Sequence, residues 1–138
     1  MIMVDSPTPI AVAEMAFQQF SQGLATGEWQ GFLAMLTEDF TFWFPIGAFQ
    51  GENVGKARAA EFFQLVSQVF SPGLTLTIER MTYRTTPDGA TVVFEVRSTG
   101  SMLGHPYSNQ AAISFDVRGQ QICGYREYLG VLYQLPTS

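Results

Sequence analysis

The sequence predicts an α+β domain in which helices come first and an antiparallel sheet follows. Apolar residues recur at helical spacing as far as Phe70, and from Leu74 onward they alternate with a period of two. Turn sequences at 87–89 (PDG) and 118–119 (RG) divide the second half into hairpins. Because consecutive hairpins form an antiparallel sheet, the preceding helices are expected to collect on one of its faces.

Three helices are predicted in the first half of the chain. Thr8 can cap the first helix, with Pro9 at its first position, and apolar residues continue at helical spacing to a stop at Gly27. Residues 28–36 place their apolar side chains on one side of a short second helix. Residues 53–70 show the same pattern before the helix-breaking sequence SPG, which predicts a third helix.

Five strands complete the predicted element order. The alternating aromatic residues of DFTFWF (39–44) predict a strand that runs into a glycine-containing loop. Longer strands are predicted at about 74–85, 91–100, 106–117 and 121–134. The order is therefore two helices, one strand, a third helix and four strands.

Length and composition indicate one domain with a covered surface. The 138 residues fit a single domain at 9–138 that follows a flexible tail at 1–8. Charged residues make up 14% of the chain, against roughly 25% in an average soluble protein. This deficit indicates that a second subunit covers part of the outer surface. The net charge of −5, with seven scattered basic residues, argues against nucleic acid and anionic membranes as partners.

The scarcity of cysteine and histidine excludes several kinds of site. The single cysteine, Cys123, cannot form an internal disulfide, and without a cluster of cysteine or histidine no metal site is expected. His105, the only histidine, precedes Pro106 and is expected in a surface turn. The first residues lack a signal-peptide pattern, and no apolar run approaches the roughly 20 residues of a membrane span, so a cytoplasmic protein is expected.

The last predicted strand carries two adjacent charges, Arg126 and Glu127, in the otherwise apolar sequence ICGYREYLGVLY. Adjacent residues of a strand point to opposite faces, so the two charges belong to different environments. The loop of the last hairpin sets the pairing register of its two strands. A three-residue loop at 117–119, with Gly119 in the left-handed conformation, gives the register in which apolar and polar residues separate best onto the two faces. In that register Glu127 lies on the apolar inner face, directly across from Asn109.

The outer face of the predicted sheet collects the other charges. Arg126 and Tyr128 point outward in the chosen register, and the apolar alternation of the 91–100 strand places Glu95 and Arg97 on the same face. Charges interspersed on a sheet face usually form solvated or interface salt bridges. These four residues are therefore the predicted subunit interface.

Glu127 is the candidate catalytic residue. Burial among aromatic side chains would raise its pKa, which suits a general acid or base near neutral pH. The alternative is a structural carboxylate, bonded to Asn109 or to a tyrosine, that fixes the strand register. Asn109 and Tyr107 either orient a ligand carbonyl or satisfy Glu127. The full set of predicted ligand-binding residues is Phe20, Trp29, Trp43, Tyr107, Asn109 and Tyr125. For the two tryptophans, a place in the core is the alternative.

The element order and the segments LTEDFTFWFP, VVFEVRSTG, PYSNQ and RGQQICGYREYLG resemble the nuclear transport factor 2-like (NTF2-like) superfamily and, within it, the SnoaL-like group. The resemblance covers residues 9–134. It implies a cystatin-like cone, in which three N-terminal helices pack in a strongly curved antiparallel sheet that encloses a deep apolar pocket. It also implies a dimer joined through the outer face of the sheet.

The resemblance also bears on the chemistry. Phe20 stands where the steroid isomerases of the superfamily have a tyrosine, and Phe44, before Pro45, stands where they have their acidic base. A phenyl ring cannot abstract a proton, so the steroid isomerase mechanism is not expected. Polyketide cyclases of the group rely on a single acid near the end of the sheet, a place that Glu127 occupies here. Gly130 stands where many SnoaL-like chains have a further aspartate.

Three hypotheses about function result. The first is a cofactor-free isomerase, cyclase or hydrolase that acts through Glu127 on a small, hydrophobic, oxygen-bearing molecule. The second is a pocket that binds such a molecule without turning it over. The third is a dimeric structural module with a closed core.

Overall fold

The structure, a computed structural model, describes residues 6–131 and confirms the predicted α+β class. Within that range the helices are α1 (Pro9–Thr26), α2 (Gln30–Leu33) and α3 (Lys56–Val69). The strands are β1 (Leu36–Phe44), β2 (Gly51–Val54), β3 (Leu74–Thr86), β4 (Gly89–Met102), β5 (His105–Arg118) and β6 (Gln121–Leu129). None of the described helices combines the length and the apolar character needed to cross a membrane.

Helix α1 begins and ends where the sequence indicates. The backbone N–H of Ala11 donates a hydrogen bond to the Thr8 hydroxyl at 3.1 Å, and Pro9 occupies the first helical position. At the other end Gly27 adopts a left-handed conformation (φ 82°), and its N–H donates to the Gly23 carbonyl at 2.8 Å. Both caps satisfy backbone groups that a helix leaves unpaired at its ends.

The other two helices are shorter than predicted. Helix α2 is a single turn, because the chain joins the sheet from Leu36 onward. Helix α3 starts later than residue 53, because residues 51–54 form β2, an edge strand antiparallel to β1. Strand β2 begins at Gly51 and is followed by Gly55, both with positive φ, and it is too short to show a period in the sequence.

The strands form one curved sheet in the order β2-β1-β6-β5-β4-β3. The predicted antiparallel pairing is confirmed for the three hairpin neighbours β3 to β6. Strands β1 and β6 are parallel, which corrects the expectation of a wholly antiparallel sheet. In this pair Phe42 lies beside Tyr125 and Trp43 beside Arg126, so the aromatic residues of β1 meet those of the last hairpin.

The turn between β5 and β6 differs from the prediction. Arg118 pairs with Gln121, so the turn has two residues and not three, although Gly119 adopts the predicted left-handed conformation (φ 63°). The change of side-chain alternation comes instead from a bulge at Cys123. Ile122, expected on the outer face, is consequently in the core, and Cys123, expected on the inner face, is half-buried at the bulge.

The bulge keeps Glu127 on the inner face but changes its partner. Glu127 pairs with Ile113, so its predicted place across from Asn109 is wrong by four residues along β5. Asn109 pairs with Ser98 of β4. A bulge and an extra loop residue change the alternation in the same way, so the face pattern alone cannot distinguish them.

The core lies between the helices and the inner face of the sheet and is mainly aromatic. Phe20 of α1 is 1% exposed, and neighbouring ring centroids lie 5.4 to 6.3 Å from its own. These neighbours are Phe17, Trp29, Phe32, Phe63, Phe115 and Tyr125. The cluster joins the helices to strands β5 and β6, and so holds α1 inside the concave face.

Candidate functional site

A cavity of about 390 Å³ lies between the inner face of the sheet and helices α1 and α3. Four apolar lining residues, Ile46, Leu65, Met102 and Val131, are at least one-third exposed and mark the mouth of the cavity. Polar side chains reach the wall in two groups, one at Glu127 and one at Asn109. The other apolar lining side chains include Phe20, Leu24, Phe44, Phe49, Phe62, Phe63, Val66, Val69, Phe70, Leu74, Leu76, Val96, Ala111, Ile113 and Leu129.

Glu127 of β6 provides the carboxyl group of the cavity wall. Its side chain points inward with that of Tyr125, because residues two apart on a strand share a face. The Tyr125 hydroxyl donates a hydrogen bond to Oε1 of Glu127. Burial in apolar surroundings raises the pKa of Glu127 to about 7, although the hydrogen bond from Tyr125 acts in the opposite direction. The carboxyl group is therefore present in both protonation states near neutral pH.

Tyr125 is fixed by its surroundings. Its ring is 1% exposed and packs 5.6 to 6.0 Å from the rings of Phe20, Phe63 and Phe115. Burial, and next the neighbouring Glu127 carboxyl, raises the pKa of Tyr125 well above its ordinary value. The phenol therefore stays protonated and acts as a permanent donor that orients one oxygen of Glu127.

The second polar group lies further along β5. The Asn109 side-chain amide donates to the Tyr107 hydroxyl at 2.9 Å, and the Ser98 hydroxyl donates to the Asn109 carbonyl at 3.3 Å. The Tyr107 ring packs against Phe70 of α3 with centroids 5.1 Å apart. Asn109 is four residues from the position opposite Glu127, which is about 13 Å along a strand. The two polar groups therefore lie about 13 Å apart along the sheet.

The two tryptophans lie outside the cavity wall. Trp29 packs face to face on Phe63 at 4.5 Å, and its indole N–H donates to the Ser67 hydroxyl at 2.7 Å, so it belongs to the core. Trp43 lies on the outer face, where its ring stacks on Tyr128 at 5.1 Å. The structure thus corrects the expected wall position of both residues. Their hydrogen-bonding and packing partners account for them without a ligand.

Some of the residues that line the cavity were not identified from the sequence. Phe62 and Phe63 of α3 face the cavity, as do the residues of the loop at 46–49 that leads into β2. The loop is held by Asn53, whose side-chain amide donates to the Phe49 carbonyl at 2.8 Å. A loop contributes to a wall through its tertiary position, so no period in the sequence could identify it.

Residues 17–125 match the model of the SnoaL-like domain. The chain belongs to the SnoaL-like family. The resemblance stated from the sequence is thereby confirmed over most of the chain. The search of curated proteins found no match to this chain.

Solved structures extend this assignment. The SnoaL-like chain is 55% identical to an NTF2-like protein from Anabaena variabilis ATCC 29413, with a TM-score of 0.85 over 95% of this chain and 96% of that one. It is 21% identical to a putative SnoaL-like polyketide cyclase from Jannaschia sp. CCS1, with a TM-score of 0.71 over 94% and 92% of the two chains. A protein of ketosteroid isomerase-like fold from Catenulispora acidiphila DSM 44928, in complex with trimethylamine, is 15% identical, with a TM-score of 0.65 over 82% and 83%. At these lower identities the likeness concerns the fold.

In this SnoaL-like chain the two positions expected for steroid isomerase chemistry both lie in the cavity wall. Phe20 and Phe44 line the cavity, and neither can donate a hydrogen bond or accept a proton. Within residues 6–131 no three acidic, histidine or cysteine side chains gather closely enough to hold a metal ion. The chemistry available at the wall is therefore that of Glu127, Tyr125 and the Asn109 group.

The predicted interface residues share the outer face of the sheet. Arg126 forms an ion pair with Asp116 at 2.7 Å, and this contact holds the pKa of Asp116 below its usual range. Glu95 and Arg97 each form one looser ion pair, at 3.7 Å, with a residue of β3. Tyr128 is 51% exposed and stacks on Trp43. Outward charges of this sheet thus have partners within the chain, and an exposed aromatic pair lies beside them.

Proposed function

We propose that the cavity binds a small hydrophobic, oxygen-bearing molecule and that Glu127 acts on it as an acid or base without a cofactor. The observation that carries this proposal is a carboxyl group with a pKa of about 7 in the wall of an apolar cavity. A group that titrates near neutral pH can both accept and return a proton, as isomerisation, cyclisation and hydrolysis require. Glu127 supplies the proton transfer, and Tyr125 keeps its carboxyl group in one orientation.

The Asn109 group supports a role in positioning. Its amide and hydroxyl groups lie about 13 Å along the sheet from Glu127, so they suit a second polar atom of an elongated ligand, such as a carbonyl oxygen. An apolar ligand that fills the space between the two groups would displace water from the site of proton transfer. The structure from Catenulispora, which is in complex with trimethylamine, supports the use of this fold for small molecules.

Replacing Glu127 by glutamine tests the chemistry. We expect the Glu127→Gln variant to retain ligand binding, because glutamine keeps the size of the side chain and an acceptor for the Tyr125 hydroxyl. Turnover should fall at least about a hundredfold, the usual contribution of a positioned acid or base. The ligand is first identified by native mass spectrometry of protein purified from its source, and kinetics are then compared for the wild type and the variant.

The same experiment separates enzyme from binding module. Retained affinity with lost turnover supports catalysis by Glu127. A bound molecule that the wild type leaves unchanged supports the second hypothesis, a non-catalytic binding protein. Protein that carries no ligand and binds no member of a panel of hydrophobic ketones, esters and epoxides contradicts both, and leaves the structural module.

We also propose a homodimer through the outer face of the sheet, in a cytoplasmic protein that binds neither nucleic acid nor membranes. The support for the dimer is the low charge content together with the exposed Tyr128 and its neighbour Trp43. Tyr128→Glu should weaken the dimer at least tenfold, because a two-fold interface would bury the new charge in both subunits. Sedimentation velocity measures the change. Met15→Glu, at a 50% exposed apolar site on α1, is the control and should leave the dimer intact. A dimer unaffected by Tyr128→Glu would contradict this interface.

A further inference from the structure

We propose that the cavity binds hydrophobic amines in their protonated form, with the ammonium group placed against Glu127 and the aromatic wall. This inference rests on the proposed function in one respect only, because it requires the cavity to be a ligand site. It adds the charge of the ligand, which the acid-base proposal leaves open. An amino ketone or amino alcohol carries both an oxygen and a cation, and for such a ligand Glu127→Gln would lower the affinity as well as the turnover.

The charges of the cavity wall are the first observation. Among the described lining residues, Glu127 is the only acid, and no arginine, lysine or histidine is present. The other titratable lining groups are the phenols of Tyr107 and Tyr125, which face the cavity from β5 and β6. The lining residues of α1, α3, β1, β3 and β4 carry no titratable group. The wall can therefore become negative, and it cannot become positive.

The second observation is that Glu127 has no counterion among residues 6–131. The ion pairs within residues 6–131 all join other residues, and the hydrogen-bond partner of Glu127 is the neutral hydroxyl of Tyr125. Only Oε1 receives that bond, so in the described part of the chain Oε2 remains available. A buried carboxylate ordinarily has a cationic partner, because the charge is costly in apolar surroundings. A bound ammonium ion would provide it.

The third observation concerns the rest of the wall. Phe20, Phe44, Phe62 and Phe63 line the cavity, and aromatic faces attract organic cations. The Arg58 guanidinium stacks on the lining residue Phe49, 4.1 Å from the ring centroid. Arg58 is not a lining residue. A carboxylate ligand of the same shape would meet Glu127 with a like charge, so the cavity should reject anions.

Two isosteric probes test the proposal. Benzyltrimethylammonium carries a permanent charge, and neopentylbenzene has the same shape with carbon in place of nitrogen. Binding is followed by amide chemical shifts of ¹⁵N-labelled protein, which show whether cavity residues such as Ile113 and Glu127 respond. The proteins are the wild type, Glu127→Gln, and Glu14→Gln, which removes an equal charge from an exposed position on α1.

At pH 8 we expect the cation to bind the wild type at least about tenfold more tightly than its neutral isostere. Its affinity should fall about tenfold between pH 8 and pH 6, as Glu127 with a pKa of about 7 takes up a proton, whereas the isostere should show no change. Glu127→Gln should abolish the pH dependence and reduce the preference to the part that the aromatic wall provides, while still binding neopentylbenzene, which also shows that the variant is folded. Glu14→Gln should behave as the wild type.

The other outcomes separate the two proposals. If neopentylbenzene binds as tightly as the cation at pH 8, the amine proposal is overturned, while the cavity remains a ligand site. If the cation is preferred equally by Glu127→Gln, the assignment of the ammonium to Glu127 is overturned. If neither probe shifts the cavity amides up to its solubility limit, this proposal fails, whereas the proposed function fails only if the panel of ketones, esters and epoxides also does not bind.

Discussion

Replacing Phe20 by alanine is expected to lower the free energy of unfolding by about 4 kcal/mol. Phe20 is 1% exposed, and it contacts aromatic residues from the helices and from the sheet, among them Phe32 and Tyr125. Truncation removes the buried ring and joins the vacated space to the cavity beside it, because Phe20 also lines that cavity. The surrounding rings belong to different elements, so they cannot all move inward to fill the space.

Two further variants make the test specific. Phe20→Leu keeps most of the buried volume and should cost less than about 2 kcal/mol. Met15→Ala, on the same helix but at a 50% exposed position, should change stability by less than about 0.5 kcal/mol. Urea unfolding followed by circular dichroism provides all three values. A loss below 1 kcal/mol for Phe20→Ala would mean that the aromatic cluster does not hold α1 against the sheet.

Local signals in the sequence were sufficient for most of the fold. The caps of α1 at Thr8 and Gly27 depend on residues within one turn of the helix ends, and these residues are visible in the sequence. The long strands follow from the period of two and the turn residues. The exceptions are a short element and a distant pairing. Strand β2 has four residues, too few to show a period, and the parallel β1–β6 pair forms only when segments more than eighty residues apart, such as Leu36 and Ile122, come together.

The candidate site was predicted less completely than the fold. The inward position of Glu127 was predicted from the alternation of side chains along the strand, which allows only an inward or an outward position. Its partner on β5 depended on where the extra residue of the hairpin lies, and the bulge at Cys123 moved that partner from Asn109 to Ile113. The hydrogen bond from Tyr125 joins residues two apart on one strand. Alternation predicts that these two side chains share a face, but it does not predict that their polar atoms form a hydrogen bond.

The tryptophans show two different reasons for error. The alternation of β1 places Trp43 opposite to its neighbours Phe42 and Phe44, so its outward position could have been predicted from the sequence. Trp29 depends on a hydrogen bond to Ser67, 38 residues away, which no local pattern reveals. A large aromatic side chain near a predicted pocket is therefore weak support for ligand contact until its own packing is known.

Replacing Glu127 by glutamine is expected to stabilise the protein by about 3 kcal/mol at pH 8 and to have little effect at pH 4. The pKa of Glu127 is about 7 in the fold, against an ordinary value of 4.5 in the unfolded chain. Below pH 4.5 the side chain is protonated in both states, and burial carries no charge penalty. Between pH 4.5 and 7 the unfolded chain loses its proton first, so the stability of the wild type falls as the pH rises. Above pH 7 the penalty is complete and constant.

The difference in unfolding free energy between the variant and the wild type isolates the titration of Glu127 from that of all other groups. Glutamine is neutral at every pH and preserves an acceptor for Tyr125, so the difference in unfolding free energy should rise from near zero at pH 4 to about 3 kcal/mol at pH 8. Urea unfolding at half-unit pH intervals measures it, and Glu14→Gln, at an exposed position, is the matched control variant. A flat curve for Glu127→Gln would mean that the carboxyl group is solvated and has an ordinary pKa. A rising curve would mean that the fold keeps an acid that weakens it at neutral pH. Such a cost is typical of residues retained for binding or catalysis.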